Sequence, residues 1–384
     1  LTMFLSERTD LVNNTGTTGP KKSTKMFVSG VLILTISNIL VKTIGLLFKI
    51  PLHDYLGDEG MGYFNAAYTI YTWFYMISTA GLPIAMSVLV SKSRAKGNFN
   101  QVKKILRLSL WLFFIVGSVG MLILALGSGM FAALIKVERA NLCILAIAPT
   151  LFFVCLTSAY RGYFQGHQIM WPTAVSQLIE SVGKLVLGIL FASWSISRGD
   201  PLYVTAAYTI FGITIGVFCG MVFIWITKLL YNTDAVNAEY ALPDSYTMPT
   251  ERTKTLLKEL VVIAIPVTLS SSVMSLANLV DLMVVSRRLQ ASGLSEKAAA
   301  ALYGNYTTLA VPLFNLPPVL VYPIGYSLVP MLSALIVQKD EGRLQRTMNS
   351  SLKVAAILSI PCAVGMAALA EPILFMIFGN ESGS

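Results

Sequence analysis

FVSGVLILTISNILVKTIGLLFKI (27–50) is apolar apart from a few Ser, Thr and Asn residues and two lysines, Lys42 and Lys49. Its length exceeds the about 20 residues that a helix needs to cross a bilayer. A run this long and this apolar reads as a membrane span rather than as a core helix of a soluble domain. Lys42 and Lys49 stand seven residues apart, two helical turns, so they share one face with Gly45 between them. Lys49 lies near the far end of the run, where it can snorkel to the membrane surface or share a cavity with Lys42. Lys42 lies deeper, and an intramembrane cation faces a partner or water. A water-filled cavity is the expectation for Lys42.

The same pattern recurs outward along the chain. Apolar segments fall at about 27–50, 61–90, 108–135, 141–160, 173–196, 203–228, 260–285, 299–336 and 350–378. Of 384 residues 55% are hydrophobic and only 12% charged, too few charges to solvate a soluble surface. The fold class expected is all-α and polytopic, with about nine membrane helices. The eighth segment is too long for a straight span, and Pro312, Pro317, Pro318, Pro323 and Pro330 must bend it. The net charge of +9 has a topological source. Lys92, Arg94, Lys96, Lys103, Lys104 and Arg107 crowd the loops on one side, while the alternate loops carry few cations. The positive-inside bias places the N-terminus in the cytoplasm. Nucleic acid is therefore not an expected partner.

The polar stretch 1–26 reads as a disordered cytoplasmic tail rather than a secretory signal, because the apolar run after it is too long and no small-residue cleavage site follows. The polar stretch 229–258 reads as a cytoplasmic linker between a six-helix lobe over 27–228 and a second lobe over 259–384. A short repeat relates the two. IAMSVLVSKSRAKG (84–97) and LVPMLSALIVQKDEG (328–342) both leave an apolar helix for a basic loop, with Met86 to Gly97 spaced like Met331 to Gly342. Paired lobes of this kind are a carrier architecture. The chain is expected to lack the start and end of the whole protein, with only three helices of the second lobe present.

Several charges and polar groups fall within the apolar segments. Glu180 and Lys184 are an i,i+4 pair in the favourable order, open to two readings: mutual neutralisation that eases insertion, or joint lining of a cavity. Arg161, Gln165 and His167 are expected in the cytoplasmic connection between the fourth and fifth helices, as a packing hinge or as a gate that touches a substrate headgroup. Asp281, in SLANLVDLMVVSRRL (275–289), is a carboxylate of the second lobe, open to ion coupling, to pairing with Lys42, or to polar packing. Cys143, Cys155, Cys219 and Cys362 sit singly in apolar runs, and the two histidines lie in different loops, so neither a metal site nor a disulfide framework is expected. No cofactor is expected. No nucleophile elbow, metalloprotease or phosphate-loop motif appears, so no catalytic residue is assigned and the chain is not expected to be an enzyme.

Four stretches carry a resemblance: KTIGLLFKIPLHDYLGDEGMGYFNAAYTIYT (42–72), ISTAGLPIAMSVLVSK (77–92), RGYFQGHQIMWPTAVSQLIE (161–180) and LVDLMVVSRRLQASG (279–293). They resemble the polysaccharide-transporter family of the bacterial MOP superfamily, in its branch of stage V sporulation protein B-like and MurJ-like lipid II flippases of Gram-positive type. The resemblance implies a two-lobe, MATE-like carrier of about fourteen helices around a cationic cavity, in the bacterial plasma membrane. It implies movement of an undecaprenyl-diphosphate-linked oligosaccharide, such as lipid II or a related cell-wall or spore precursor, from the inner to the outer leaflet, by a monomer surrounded by membrane lipids. Basic residues of the first helix hold the diphosphate in such proteins, and Lys42 and Lys49 match them. A lysine binds phosphate as a point charge, without the bidentate geometry of arginine. The basic residue of the eighth helix in Gram-negative members has no counterpart in YGNYTTLAVP (303–312). The substrate-contacting set implied is Lys42, Lys49, Arg161, Gln165, Glu180 and Lys184, with Asp281 for charge pairing or ion coupling. The alternatives are a MATE-type multidrug or cation antiporter, against which the two lysines argue, and a membrane-embedded transferase.

Overall fold

A computed structural model describes residues 20–231, 248–311 and 341–378. Hydrocarbon offers the backbone no hydrogen-bond partner, so a spanning segment must satisfy itself, and the apolar runs do so as helices. In chain order these are α1 (Pro20–Thr79), α2 (Gly81–Ala95), α3 (Phe99–Leu126), α4 (Ser128–Leu134), α5 (Asn141–Gly166), α6 (Trp171–Ser197), α7 (Leu202–Leu230), α8 (Thr253–Ala291), α9 (Glu296–Asn305), α10 (Glu341–Ala368) and α11 (Ala370–Phe378). Among the described residues, seven helical stretches are long and apolar enough to cross a membrane, so this is a multi-pass membrane protein. Polar side chains inside them fold back on their own helix. The hydroxyls of Thr43, Thr72 and Thr157 donate to the carbonyls of Ile39, Tyr68 and Phe153, four residues earlier.

α1 is two arms joined at Gly57, whose φ of 58° and ψ of −175° break the helix. Glycine alone adopts this backbone without strain. The second arm and α2 together make the return crossing. α3 then runs back, capped at its start by Asn98, whose side chain accepts from the Gln101 N–H. Its apolar run was expected to continue to residue 135. Instead it stops at Leu126, and a separate short α4 follows. The same order of a long helix and then a short one recurs in α10 and α11.

Helix α1 begins at Pro20, so residues 20–26 of the expected tail are helical; residues 1–19 lie outside the described residues. Of the expected linker, 232–247 likewise lies outside them, and so do the Pro-rich part of the eighth segment, 312–336, and the residues up to 340. Residues 249–251 lie along the α2–α3 turn. The Asn98 amide donates to the Pro249 carbonyl (2.9 Å), Lys104 to the Glu251 carbonyl (2.7 Å), and the Glu251 N–H to Gln101 (3.2 Å). We call this the basic end of the bundle.

At the opposite end, α1 and α9 touch backbone to backbone. A Cβ on Gly62 would stand 2.0 Å from the Ala300 carbonyl oxygen, and one on Gly304 would stand 2.5 Å from the Asp58 carbonyl oxygen. Small residues let membrane helices approach this closely. Polar contacts fasten the seam: the Asn305 amide donates to Asp58 (3.0 Å) and the Asn65 amide to the Thr308 hydroxyl (2.8 Å). Glu59 lies 3.5 Å from Lys297 and 4.0 Å from Arg139. Gly62→Val should prise this seam apart, because the atom in the way is backbone and overpacking costs about 1–3 kcal/mol. A cysteine pair placed at Asn65 and Thr308 should cross-link readily in the parent and poorly with Gly62→Val; equal yields would mean the seam does not depend on the close approach.

Candidate functional site

The site is built where three helices meet beside the seam. Phe48, on the first arm of α1, is buried against α6. Packing that ring turns the next residue, Lys49, toward α9, where its ammonium donates to the Thr307 carbonyl (3.2 Å). Thr307 lies in a π-helical turn, Tyr306–Ala310, which continues α9. Such turns depart from the regular hydrogen-bond ladder and recur at functional sites.

Lys184 reaches the same place from α6. Its ammonium sits 5.0 Å from the centre of the Phe48 ring and 4.8 Å from that of Tyr68. The negative faces of the two rings attract it, by about 0.5–2 kcal/mol. Tyr68 is itself stacked on Phe64 and in contact with Tyr71, which touches Tyr75. Lys184 thus lies over the ring of Phe48, the residue that precedes Lys49 in the chain. Among the described residues, neither lysine is in an ion pair with a carboxylate. Two cations held by a carbonyl and by rings, rather than by carboxylates, retain the charge to attract an anion.

Of the two readings open for Glu180 and Lys184, mutual neutralisation is not what the structure shows. The Glu180 carboxylate accepts instead from the Arg161 guanidinium at 2.8 Å, and Arg161 donates in addition to the Ser176 hydroxyl at 3.0 Å. A guanidinium presents a planar fork of donors that holds a carboxylate and a hydroxyl together, which an ammonium four residues along the same helix does not match. Arg161 was also expected in the loop between helices. It lies within α5, which runs on to Gly166, and it is buried. Gln165 is half-buried one turn further on. His167 caps α5, fully buried, with Nδ1 2.9 Å from the Tyr163 carbonyl.

The two lysines of α1 differ in their surroundings. Lys49 is the half-buried one with a partner on another helix, and Lys42, two turns toward the basic end on the same face, is exposed. Thus α1 and α9 are in contact from Asp58 as far as Lys49, and the stripe beyond is open at Lys42. Asp281 is exposed on α8; the Tyr306 hydroxyl lies 3.5 Å from its carboxylate. It forms no ion pair with Lys42 among the described residues. The same residues hold no group of His, Cys, Asp and Glu able to bind a metal ion.

Phe48, Tyr68, Ser176 and Thr307 are parts of the site that were not expected from sequence. The spacing of Phe64, Tyr68, Tyr71 and Tyr75 is a helical stripe of rings and was the available signal for Tyr68. Nothing in the sequence marks the Thr307 carbonyl.

Residues 27–336 match the family of polysaccharide biosynthesis proteins. The chain belongs to that family. Among curated proteins it is similar to the lipid II flippase MurJ of Bacillus subtilis (strain 168), with 26% identity over 92% of this chain and 66% of that protein. It is also similar to stage V sporulation protein B of the same organism, with 23% identity over 93% of this chain and 68% of that protein. The chain thus spans about two thirds of the length of these relatives. Among solved structures it shares its fold with a multidrug resistance MATE family transporter of the MOP superfamily, in an inward-facing conformation. The TM-score is 0.68 at 15% identity, covering 91% of this chain and 75% of the other. The two-lobe MATE-like fold expected from sequence is therefore the fold of this family member, and its relatives with named activities are a flippase and transporters rather than enzymes.

The ring contacts give a first test of the site. Tyr68→Leu removes one of the two faces under Lys184 and is expected to lower the melting temperature of the purified protein, by the equivalent of about 0.5–2 kcal/mol. Tyr68→Phe keeps the face and should melt like the wild type. A similar loss in both variants would transfer the role from the ring to the hydroxyl.

Proposed function

We propose that this family member carries an undecaprenyl-diphosphate-linked oligosaccharide across the plasma membrane by alternating access, from the inner to the outer leaflet. Lys49 and Lys184 hold the diphosphate, and Lys42 is its first contact on the way in from the basic end. The observation that carries this reading is the pair of neighbouring ammonium groups without a carboxylate. Burying a charge without a partner is costly, and a diphosphate supplies the missing countercharge with strong acceptor oxygens. The named activity of the MurJ relative supports a lipid-linked precursor of this kind.

The basic end is placed in the cytoplasm by the positive-inside bias. The half-buried Gln165 lies near that end, where an arriving headgroup passes. Arg161 and Glu180, expected to touch the substrate, are occupied with each other and are given a different role below. The carrier works as a monomer among membrane lipids. A cation antiporter on the same fold would have to seat its cargo against two ammonium groups, which disfavours that reading.

Export of an anion toward a positive exterior is helped by the membrane potential, by about 2.3 kcal/mol per charge per 100 mV. The loaded step therefore runs downhill, and return of the empty carrier is the harder half. Asp281, held beside Tyr306 on α8, is the acidic group assigned to that return.

In detergent, Lys49→Gln and Lys184→Gln should each weaken binding of undecaprenyl diphosphate about tenfold or more. In vesicles, Lys42→Ala should abolish relocation of a lipid-linked saccharide while membrane insertion persists, and Lys42→Arg should keep much of it. Unchanged binding in both glutamine variants would remove the anion site, and chemical conversion of the lipid rather than its relocation would make the protein a transferase. Asp281→Asn should slow repeated turnover more than it weakens binding; equal effects on both, or none on either, would take Asp281 out of the cycle.

A further inference from the structure

Glu180 stands one turn from Lys184 on α6, the separation at which carboxylate and ammonium side chains ordinarily meet. They do not meet here. The carboxylate is drawn to the neighbouring helix by Arg161, at 2.8 Å, and Arg161 is fixed in turn by the Ser176 hydroxyl. Ser176 donates onward to the Thr173 carbonyl (2.8 Å), so its acceptor lone pairs face the guanidinium. On the other side, α7 makes room for the Glu180 stem. A Cβ on Gly220 would stand 2.6 Å from Glu180 Cγ and 3.0 Å from its Oε1. The carboxylate is thus held from α5 and given space by α7, both away from Lys184.

We propose that Arg161 is a positioning residue that keeps the anion site open by occupying Glu180. With the carboxylate engaged by Arg161, Lys184 turns to the Phe48 and Tyr68 rings, and its charge and that of Lys49 stay available to an incoming diphosphate. Without Arg161, the nearest cation to Glu180 along its own helix is Lys184, one turn away. Their pairing places an internal carboxylate where the diphosphate belongs, so the internal anion and the cargo compete for the same ammonium. The inference rests on the assignment of Lys49 and Lys184 as the anion site, and it adds how that site is kept free.

The test measures binding of undecaprenyl diphosphate to the full chain in detergent, with Lys184→Gln as the control for the site itself. Arg161→Gln should bind about tenfold more weakly than the wild type. The double variant Arg161→Gln/Glu180→Gln should recover wild-type binding, because the competing carboxylate is gone. Arg161→Lys should retain most of it. Glu180→Gln alone should bind at least as tightly as the wild type. A purely structural clamp predicts the reverse for the double variant, which would be no better than Arg161→Gln. A folded double variant that stays weak, an Arg161→Gln variant with wild-type binding, or a Glu180→Gln variant that binds more weakly would each overturn the proposal. If Arg161→Gln does not fold, Glu180→Gln and Arg161→Lys still decide it. Wild-type binding that survives Lys184→Gln, or no binding by the wild type, overturns the anion site and this inference with it. Loss in Lys184→Gln without rescue in the double variant overturns this inference alone.

Discussion

Charge without solvent is the condition that organises this bundle. The helical backbone closes its own hydrogen bonds, so side-chain charges are what remains to be settled inside. Each is settled differently. Arg161 and Glu180 form an ion pair across two helices, with a serine hydroxyl completing the guanidinium. Lys49 takes a backbone carbonyl at a wide helical turn. Lys184 lies against two aromatic faces. A carbonyl and a ring orient a cation without cancelling it. The two lysines are therefore placed but not neutralised, whereas the arginine is both.

The elbow at Gly57 decides where these groups meet. It folds α1 back on itself, so that the first arm delivers Phe48 and Lys49 while the second delivers Tyr68 on a stripe of rings. The close approach of Gly62 to Ala300 then sets α9 against α1, which brings the Thr307 carbonyl within reach of Lys49. One seam thus does two things. It holds α1 against α9 at the end opposite the basic loops, and it brings Lys49 to the Thr307 carbonyl. The packing of the seam and the environment of Lys49 therefore depend on the same two helices.

The membrane class, the spans and the two lysines of α1 were legible in the sequence because each depends on a local quantity: the length of an apolar run, or spacing along one helix. The partner of Glu180 was not. The i,i+4 rule ranks only neighbours on the same helix, and Arg161, 19 residues earlier, enters from another. The partner of Lys49, the Thr307 carbonyl, was not legible for a similar reason. It depends on which side of α1 meets α9, which spacing along one helix does not give. The break at Gly127 went unseen because the residues on both sides are equally apolar, so hydropathy does not change where the helix stops.

The fold is shared with multidrug transporters, and the anion preference proposed for this chain rests on a few side chains. A two-lobe bundle supplies a seam, an elbow and a path between helices whatever the sign of its cargo. The sign is set by which charges are left uncancelled at the meeting point. In this chain the arithmetic is local: of the three cations Lys49, Lys184 and Arg161, only Arg161 is paired with a carboxylate, that of Glu180, among the described residues. Because Arg161 takes that carboxylate, the excess falls on the lysines beside the seam rather than on the arginine buried behind them. Were Glu180 to lie against Lys184 instead, the same four residues would leave the excess with Lys49 and with an arginine in the interior of the first bundle. The bundle would be equally basic in composition, and the anion site would have moved.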